Sequence, residues 1–245
     1  MFSESHCHLG DMSREDLERA EKAGFKVLLT AGIDLPSSEL AVETARRHPI
    51  AYASVGVHPW YADEYSEAVE ARFRELAGEE VCVAISEVGL DFVGRMTHDW
   101  VREDRYIDPK VQRRTLEAQL ALARELGMPV VVHDRAPGEE ILGILEKSGV
   151  GGVAIHGFSK DTEYAQRCVD NGFYLSLGLR PLRAGEPQLL EAVKAIPLES
   201  ILTETDSREP EGVKEVCRRV AELKGLSMEE VGRVATENLV RLLGL

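Results

Sequence analysis

The sequence predicts an α/β protein, a (β/α)8 TIM-like barrel in a single domain spanning 1–245. Short apolar, β-branched runs recur with longer amphipathic stretches between them, the rhythm of repeated βα units feeding a parallel sheet. Eight runs can be counted, which suits a closed barrel better than an open doubly wound sheet. The length of 245 residues is ordinary for one such barrel, and no linker, internal repeat or low-complexity stretch marks a boundary.

In chain order the strand runs are Phe2 to His8, Lys26 to Ala31, Ala51 to Val57, Val81 to Val88, Pro129 to His133, Gly152 to Ile155, Phe173 to Leu177 and Ser200 to Thr205. Between them, Arg14 to Ala23 and Ser37 to Arg47 carry apolar stripes at helical spacing, and Val111 to Leu126 is the longest such segment. Gly24, Gly127 and Gly149 stand where helices should stop, because glycine accepts the left-handed conformation at a helix end. After the eighth run, Val213 to Lys224 and Ser227 to Leu243 read as closing helices, the second opened by a capping box of Ser227 and Glu230. The least regular stretch, Asp91 to Lys110, reads as a long loop after the fourth strand, a kind of loop that is often functional.

Composition narrows the function. With 44% hydrophobic and 29% charged residues the chain is neither disordered nor collagen-like. A net charge of −14, from 29 basic and 43 acidic side chains, argues against a whole-surface grip on nucleic acid or anionic membrane and leaves room only for a local basic site. No apolar run approaches the roughly 18 to 20 residues of a membrane span, and the start MFSESHCHLGDM lacks the cationic and apolar regions of a secretory signal. The expectation is a cytoplasmic protein without a membrane partner. Cys7, Cys82, Cys168 and Cys217 form no CxxC pair and read as buried free thiols.

The polar residues fall in a pattern. Side chains alternate along a strand, so His6 and His8 project the same way and Cys7 the opposite way. Alone, such a pair is as well explained by packing as by metal. The fourth strand, however, ends in ISEVG with Glu87, the fifth in VVVH with His133, the sixth in AIH with His156, and the eighth in TETD with Asp206. Each is a metal-ligand residue type at the carboxyl end of an apolar strand, where barrel enzymes assemble their sites. His58, in GVHP after the third strand, is expected to contact substrate or support the ligands, with the Pro59 turn carrying it off the metal axis. Four imidazoles and two carboxylates without thiolate suit zinc, manganese, nickel or magnesium. Two divalent ions bridged by one carboxylate would clamp an attacking hydroxide and a leaving oxygen, and Glu87 is the best bridge.

The fragments SHCHLGD, GVHP, SEVGLDF, VVVHDRA, IHGFS and TETDS, followed by TEN near the C-terminus, resemble the TatD-type metal-dependent hydrolases of the amidohydrolase superfamily across nearly the whole chain. The resemblance implies a barrel, one to three divalent metals and hydrolysis, most often of phosphodiester bonds in DNA. It implies that His6 and His8 bind one metal and His133 and His156 the second, with Glu87 between them. Asp206 would bind the first metal and accept a proton from the nucleophilic water. It also implies that Asp91 and Arg135 line the pocket; Lys160, in the loop after the sixth strand, is expected as a further substrate contact from its position.

Several positions depart from the family pattern: Glu4 for a common aspartate, Gly157 for a frequent cysteine, Lys160 for glycine, LGLRPLR for a segment richer in Ser, Ile and Gly, and Arg208 for a typical proline. The last three lie in expected substrate loops. Together with Arg95, Arg102, Arg105, Arg135, Arg180 and Arg183 they sketch a basic rim, interleaved with Asp99, Glu103, Asp104, Asp134, Glu186 and Glu209. The leading functional expectation is a deoxyribonuclease or related phosphodiesterase acting on DNA or another phosphodiester. The alternatives are a metal-dependent hydrolase of a carbonyl ester, lactone, amide or aminoacyl ester, and a barrel that binds without turnover.

Overall fold

Eight parallel strands alternate with helices in the computed structural model, which describes residues 1–10, 12–93, 107–136 and 138–245. The strands are β1 (Phe2–Cys7), β2 (Phe25–Ala31), β3 (Ala51–Val55), β4 (Cys82–Asp91), β5 (Val130–Arg135), β6 (Val153–His156), β7 (Tyr174–Gly178) and β8 (Ile201–Glu204). They pair in chain order from β1 to β8. Beyond β8 the chain returns to β1: the Asp206 N–H donates to the His6 carbonyl (3.1 Å) and the His8 N–H to the Ser207 carbonyl (3.0 Å). This is the nearly closed cylinder of a TIM-like barrel.

The covering helices are α1 (Arg14–Lys22), α2 (Leu35–Ala45), α3 (Glu67–Leu76), α4 (Pro109–Leu126), α5 (Glu140–Ser148), α6 (Thr162–Asp170), α7 (Leu179–Ala184), α8 (Pro187–Ala195), α9 (Val213–Lys224) and α10 (Met228–Leu243). Their ends follow from sequence. Ser13 and Asp16 form a reciprocal capping box on α1, Asp34 and Ser37 another on α2, and Asp108 with Pro109 opens α4. Gly127 and Gly149 close α4 and α5 in the left-handed region. At α10 only half of the expected box forms, the Glu230 N–H donating to Ser227 Oγ.

Two strands run further than their apolar stretches. β4 continues to Asp91 and β5 to Arg135, because the ladder carries on through Gly89 with His133, Leu90 with Asp134 and Asp91 with Arg135. Backbone pairing there outlasts the hydrophobic signal. The segment LGLRPLR, expected as a loop, folds largely as α7, with Pro181 tolerated in its first turn and Gly185 closing it at φ +69°. Of the loop expected over 91–110, positions 94–106 lie outside the described residues, and with them Arg95, Asp99, Arg102, Glu103, Asp104 and Arg105.

The main core lies where strands meet helices, and all four cysteines are buried free thiols. A second apolar cluster gathers Val27, Leu29, Ala84, Val131, Ala154 and Leu202 against Leu239 and Leu242 of α10. Val131, Ala154 and Leu202 each stand two residues before His133, His156 and Glu204, so strand alternation puts an apolar layer beneath a polar one. Gly89 admits close approach of β4 to β5: a Cβ there would lie 1.9 Å from the His133 carbonyl oxygen. Among the described residues no helix is long and apolar enough to cross a membrane.

Candidate metal centre

β1 delivers His6 and, just beyond its end, His8, with ring centroids 5.1 Å apart. Cys7 between them faces the core and its thiol donates to the Leu29 carbonyl. β4 delivers Glu87, β5 His133, and β6 His156, the last two in register across the ladder. Asp206 follows β8 with φ +52°, the one non-glycine residue among those described in the left-handed region, which aspartate tolerates better than most. That backbone turn brings its carboxylate back toward β1.

Glu87 is the hub. Its Oε2 lies 3.3 Å from His6 Nε2 and 3.9 Å from His8 Nε2. Its Oε1 lies 2.8 Å from His156 Nε2, 2.9 Å from His133 Nδ1 and 3.5 Å from His58 Nε2. Asp206 Oδ1 is 3.2 Å from His8 Nε2 and 3.7 Å from His6 Nε2. All six residues expected as ligands therefore meet at one mouth of the barrel. Four groupings have ligand atoms mutually within 4.8 Å: His6, His8 and Glu87; His6, His156 and Asp206; Glu87, His133 and His156; and His58, Asp91 and His133.

The last grouping shows that the Pro59 turn leaves His58 beside the cluster, its ring centroid 4.3 Å from that of His133. Asp91 is fully buried and lines neither adjoining cleft: its Oδ2 meets His133 Nε2 at 3.1 Å and accepts from Trp60 Nε1–H at 2.9 Å. Lys160 also lines neither cleft, its ammonium donating to the Ala136 carbonyl at 2.7 Å and standing 3.4 Å from Asp134 Oδ1. Arg135 is exposed and lines both clefts.

Burial disfavours charge on every group here, and the outcome depends on neighbours. Burial, reinforced by His156, pulls the His6 pKa down. His58 falls well below its ordinary value through burial and the adjacent His133. For His156 the pull of burial is outweighed by Glu87 and Glu204, and its pKa rises well above the usual range. For Glu87 burial is outweighed by His156, His58 and His6, which hold it ionised. Asp206 is likewise held low, with burial overcome by the His8 hydrogen bond and by His156.

The donor set fits divalent ions. Both ring nitrogens of His6 are buried without a hydrogen-bond partner, an arrangement that wastes two polar atoms unless a ligand claims one. Glu87, Glu204 and Asp206 make no ion pair with any lysine or arginine among the described residues, so the negative charge of the mouth is left for cations to neutralise.

Sequence reading missed the residues that hold this cluster in place. Buried Glu204 accepts the Gly157 N–H at 2.7 Å and lies 3.3 Å from His156 Nδ1, while its Oε2 is buried and unpartnered. The signal was available, because Glu204 is an acid at the carboxyl end of the eighth apolar run, two residues before Asp206. Glu4, noted only as a departure, accepts the backbone N–H groups of His6 and Thr205 and the Thr205 hydroxyl, tying β1 to the end of β8. Gln112 clasps Asp91, accepting its N–H and donating to its carbonyl. Trp60 and Gln112 gave no local signal.

Two clefts open from the cluster. The first, about 500 Å3, is lined by His8, Ile33, Leu40, His58, Trp60, Glu87 and the arginines 135, 180 and 208. The second, about 410 Å3, runs past His156, Ser159, Leu179, Pro181 and Glu204. They share His133, Arg135, Arg180 and Asp206.

An eight-stranded parallel barrel with acid and imidazole groups gathered at the carboxyl ends of its strands defines the class of metal-dependent hydrolase barrels. Within that class the chain belongs to the TatD family: the family model described as TatD related DNase matches residues 4–244. The uncharacterized metal-dependent hydrolase YabD of Bacillus subtilis is 33% identical, with 99% of this chain and 98% of that protein covered. The 3′-5′ ssDNA/RNA exonuclease TatD of Escherichia fergusonii is 30% identical over 95% of this chain and 93% of its own. The crystal structure of YJJV, a TatD homolog from Escherichia coli K12, superposes with a TM-score of 0.83 at 23% identity, covering 100% of this chain and 98% of that one, a likeness of fold. The chain is a metal-dependent hydrolase of this family.

Proposed function

We propose that this hydrolase is a phosphodiesterase acting on nucleic-acid ends, a deoxyribonuclease, carried by one barrel unit over 1–245 and working in the cytoplasm. Two divalent ions, drawn from zinc, manganese, nickel and magnesium, would be held by His6, His8 and Asp206 on one side and by His133 and His156 on the other, with Glu87 facing both. The observation that carries this reading is the division of the two Glu87 oxygens between two sets of imidazoles at the floor of an arginine-lined cleft. When bound, such ions polarise a phosphoryl oxygen and lower the pKa of water toward about 7.

The chain's own residues supply the rest. Asp206 is ionised at neutral pH and partly exposed, so it can take the proton of the attacking water. Arg135, exposed at the divide between the clefts, offers a planar fork to phosphate oxygens. Asp91, itself held by Trp60 and Gln112, fixes the His133 ring.

The test incubates metal-loaded protein with end-labelled single-stranded DNA and, separately, with a panel of esters and lactones. Stepwise shortening of the DNA that stops on chelation and returns with added metal is the expected result. Cleavage of a carbonyl substrate with the DNA left intact overturns the proposal.

A further inference from the structure

Three arginines at the mouth carry charge that no other part of the protein uses. Arg135 at the end of β5, Arg180 in the first turn of α7 and Arg208 in the turn after β8 are exposed and line the first cleft. None of the three guanidinium groups has an ion-pair or hydrogen-bond partner among the described residues. Many arginines elsewhere are answered by acids: Arg46 grips Glu79, Arg74 joins Glu70 and Glu125, and Arg167 joins Glu139 and Glu146, while Arg114 and Arg183 stand exposed without an acid partner among the described residues but line neither cleft. In a protein with a net charge of −14, leaving three neighbouring guanidinium groups unanswered around one cavity sets that cavity apart.

The two clefts differ in this respect. Arg135 and Arg180 border both, whereas Arg208 borders only the first. The second cleft adds the acids Glu186 and Glu204, with Asp134 already facing Lys160, while the one acid that the first cleft adds is Glu87 at its floor. The first adds instead an apolar wall of Ile33, Leu40 and Ala41 with Trp60 beside it, a surface for a nucleoside. Its volume of about 500 Å3 accommodates a small-molecule unit of that size.

We propose that the first cleft is a subsite for a phosphate other than the one being hydrolysed, gripped by Arg208 with Arg180, so that the enzyme selects substrates carrying two phosphates one nucleoside apart. The inference rests on the phosphodiesterase reading above, and it adds a direction: the extra phosphate lies on the side of β1 to β3 and β8, while the second cleft takes the less charged portion. The same chemistry is offered by a terminal phosphomonoester and by the next diester of a longer strand.

The experiment has a binding arm and a turnover arm, both on metal-loaded enzyme. Calorimetric titration with thymidine 3′,5′-bisphosphate and with each thymidine monophosphate, none of them a diester, measures the subsite without turnover. The bisphosphate is expected to bind at least about tenfold more tightly than either monophosphate in the natural enzyme, and within about threefold in Arg208→Gln. Arg114→Gln, which removes an exposed arginine lining neither cleft, should keep the natural gap. The salt dependence of bisphosphate affinity should be weaker in Arg208→Gln than in the natural enzyme. Equal binding of mono- and bisphosphate, or a gap that survives Arg208→Gln, overturns the proposal.

The turnover arm compares kcat/KM for the dithymidine diester, its terminally phosphorylated form and the trithymidine diester. Preference for the phosphorylated dimer alone supports a terminal phosphomonoester as the bound group, and equal preference for it and the trimer supports any adjacent phosphate. No preference over the plain dimer overturns the subsite. If none of the three is hydrolysed while the bisphosphate gap persists, the phosphodiesterase reading fails and the anion subsite stands.

Discussion

The two flanks of the Glu87 carboxylate are built on opposite principles. Toward β1 and β8, His8 and Asp206 are open to solvent, with 32% and 45% of their side chains exposed, and few protein groups restrain them. Toward β3, β4 and β5, His133 and Asp91 are 4% and 0% exposed and sit in a closed chain of hydrogen bonds through Trp60 and Gln112. The open flank can exchange protons and ligands with water. On the closed flank the hydrogen bonds of Asp91 to His133 and Trp60 fix the orientation of the His133 ring, which still borders both clefts. On the reading proposed above, geometry would be held on one side and proton transfer done on the other, with the Glu87 carboxylate in contact with both.

Removing the shared group tests this division most severely. Glu87→Gln should lower kcat/KM by about ten-thousandfold and reduce bound metal by elemental analysis, because both sets of imidazoles lose their common partner. Retention of full metal content and rate would dissolve the picture of a joined site. Next in size is a matched pair of acid-to-amide changes. Asp206→Asn should cost about a hundred- to a thousandfold in kcat with an almost unchanged urea midpoint. Asp91→Asn should lower stability by about 1–3 kcal/mol, since its buried hydrogen bonds to His133 and Trp60 are rearranged. Should the two variants trade phenotypes, the flanks have been assigned the wrong way round.

The pH dependence sharpens the same contrast. The His156 pKa is raised well above 6.5 in the fold, so its protonated form stabilises chelated protein fully at low pH, and that contribution disappears as the pH climbs through the folded value. Metal binding needs the neutral imidazole and moves the other way. Urea unfolding of chelated protein should therefore show falling stability as pH rises above about 6.5, while the metal-induced gain in stability grows over the same window. Parallel trends in both samples would remove His156 from the ligand set. The smallest effect belongs to Trp60→Phe, which deletes one hydrogen bond to Asp91 and should lower stability by about 1 kcal/mol with kcat little changed.

Much of this was legible in the chain itself. The eight strands, the nearly closed barrel and the assembly of His6, His8, Glu87, His133, His156 and Asp206 at one mouth follow from apolar runs that end in ligand-type residues. What escaped was of two kinds. The ends of β4 and β5 are polar and hold their place by backbone pairing, which leaves no hydrophobic trace. The supports Trp60, Gln112 and Glu204 act through contacts between residues distant in sequence, as when Gln112 on α4 reaches back to Asp91 on β4. Lys160 makes the same point from the other side: its loop position suggests the rim, and its contacts with Asp134 and the Ala136 carbonyl are not legible in the local sequence. Periodicity reports which face a residue takes and says little about which partner it finds there.

The bare backbone of Gly89 against the His133 carbonyl marks a position in the barrel wall that leaves no space for a side chain. The arginines at the entrance are exposed, so exchanging one leaves the strand pairing intact. Any side chain at position 89 would instead push apart the strands that carry Glu87 and His133, and the spacing of the cluster would be lost.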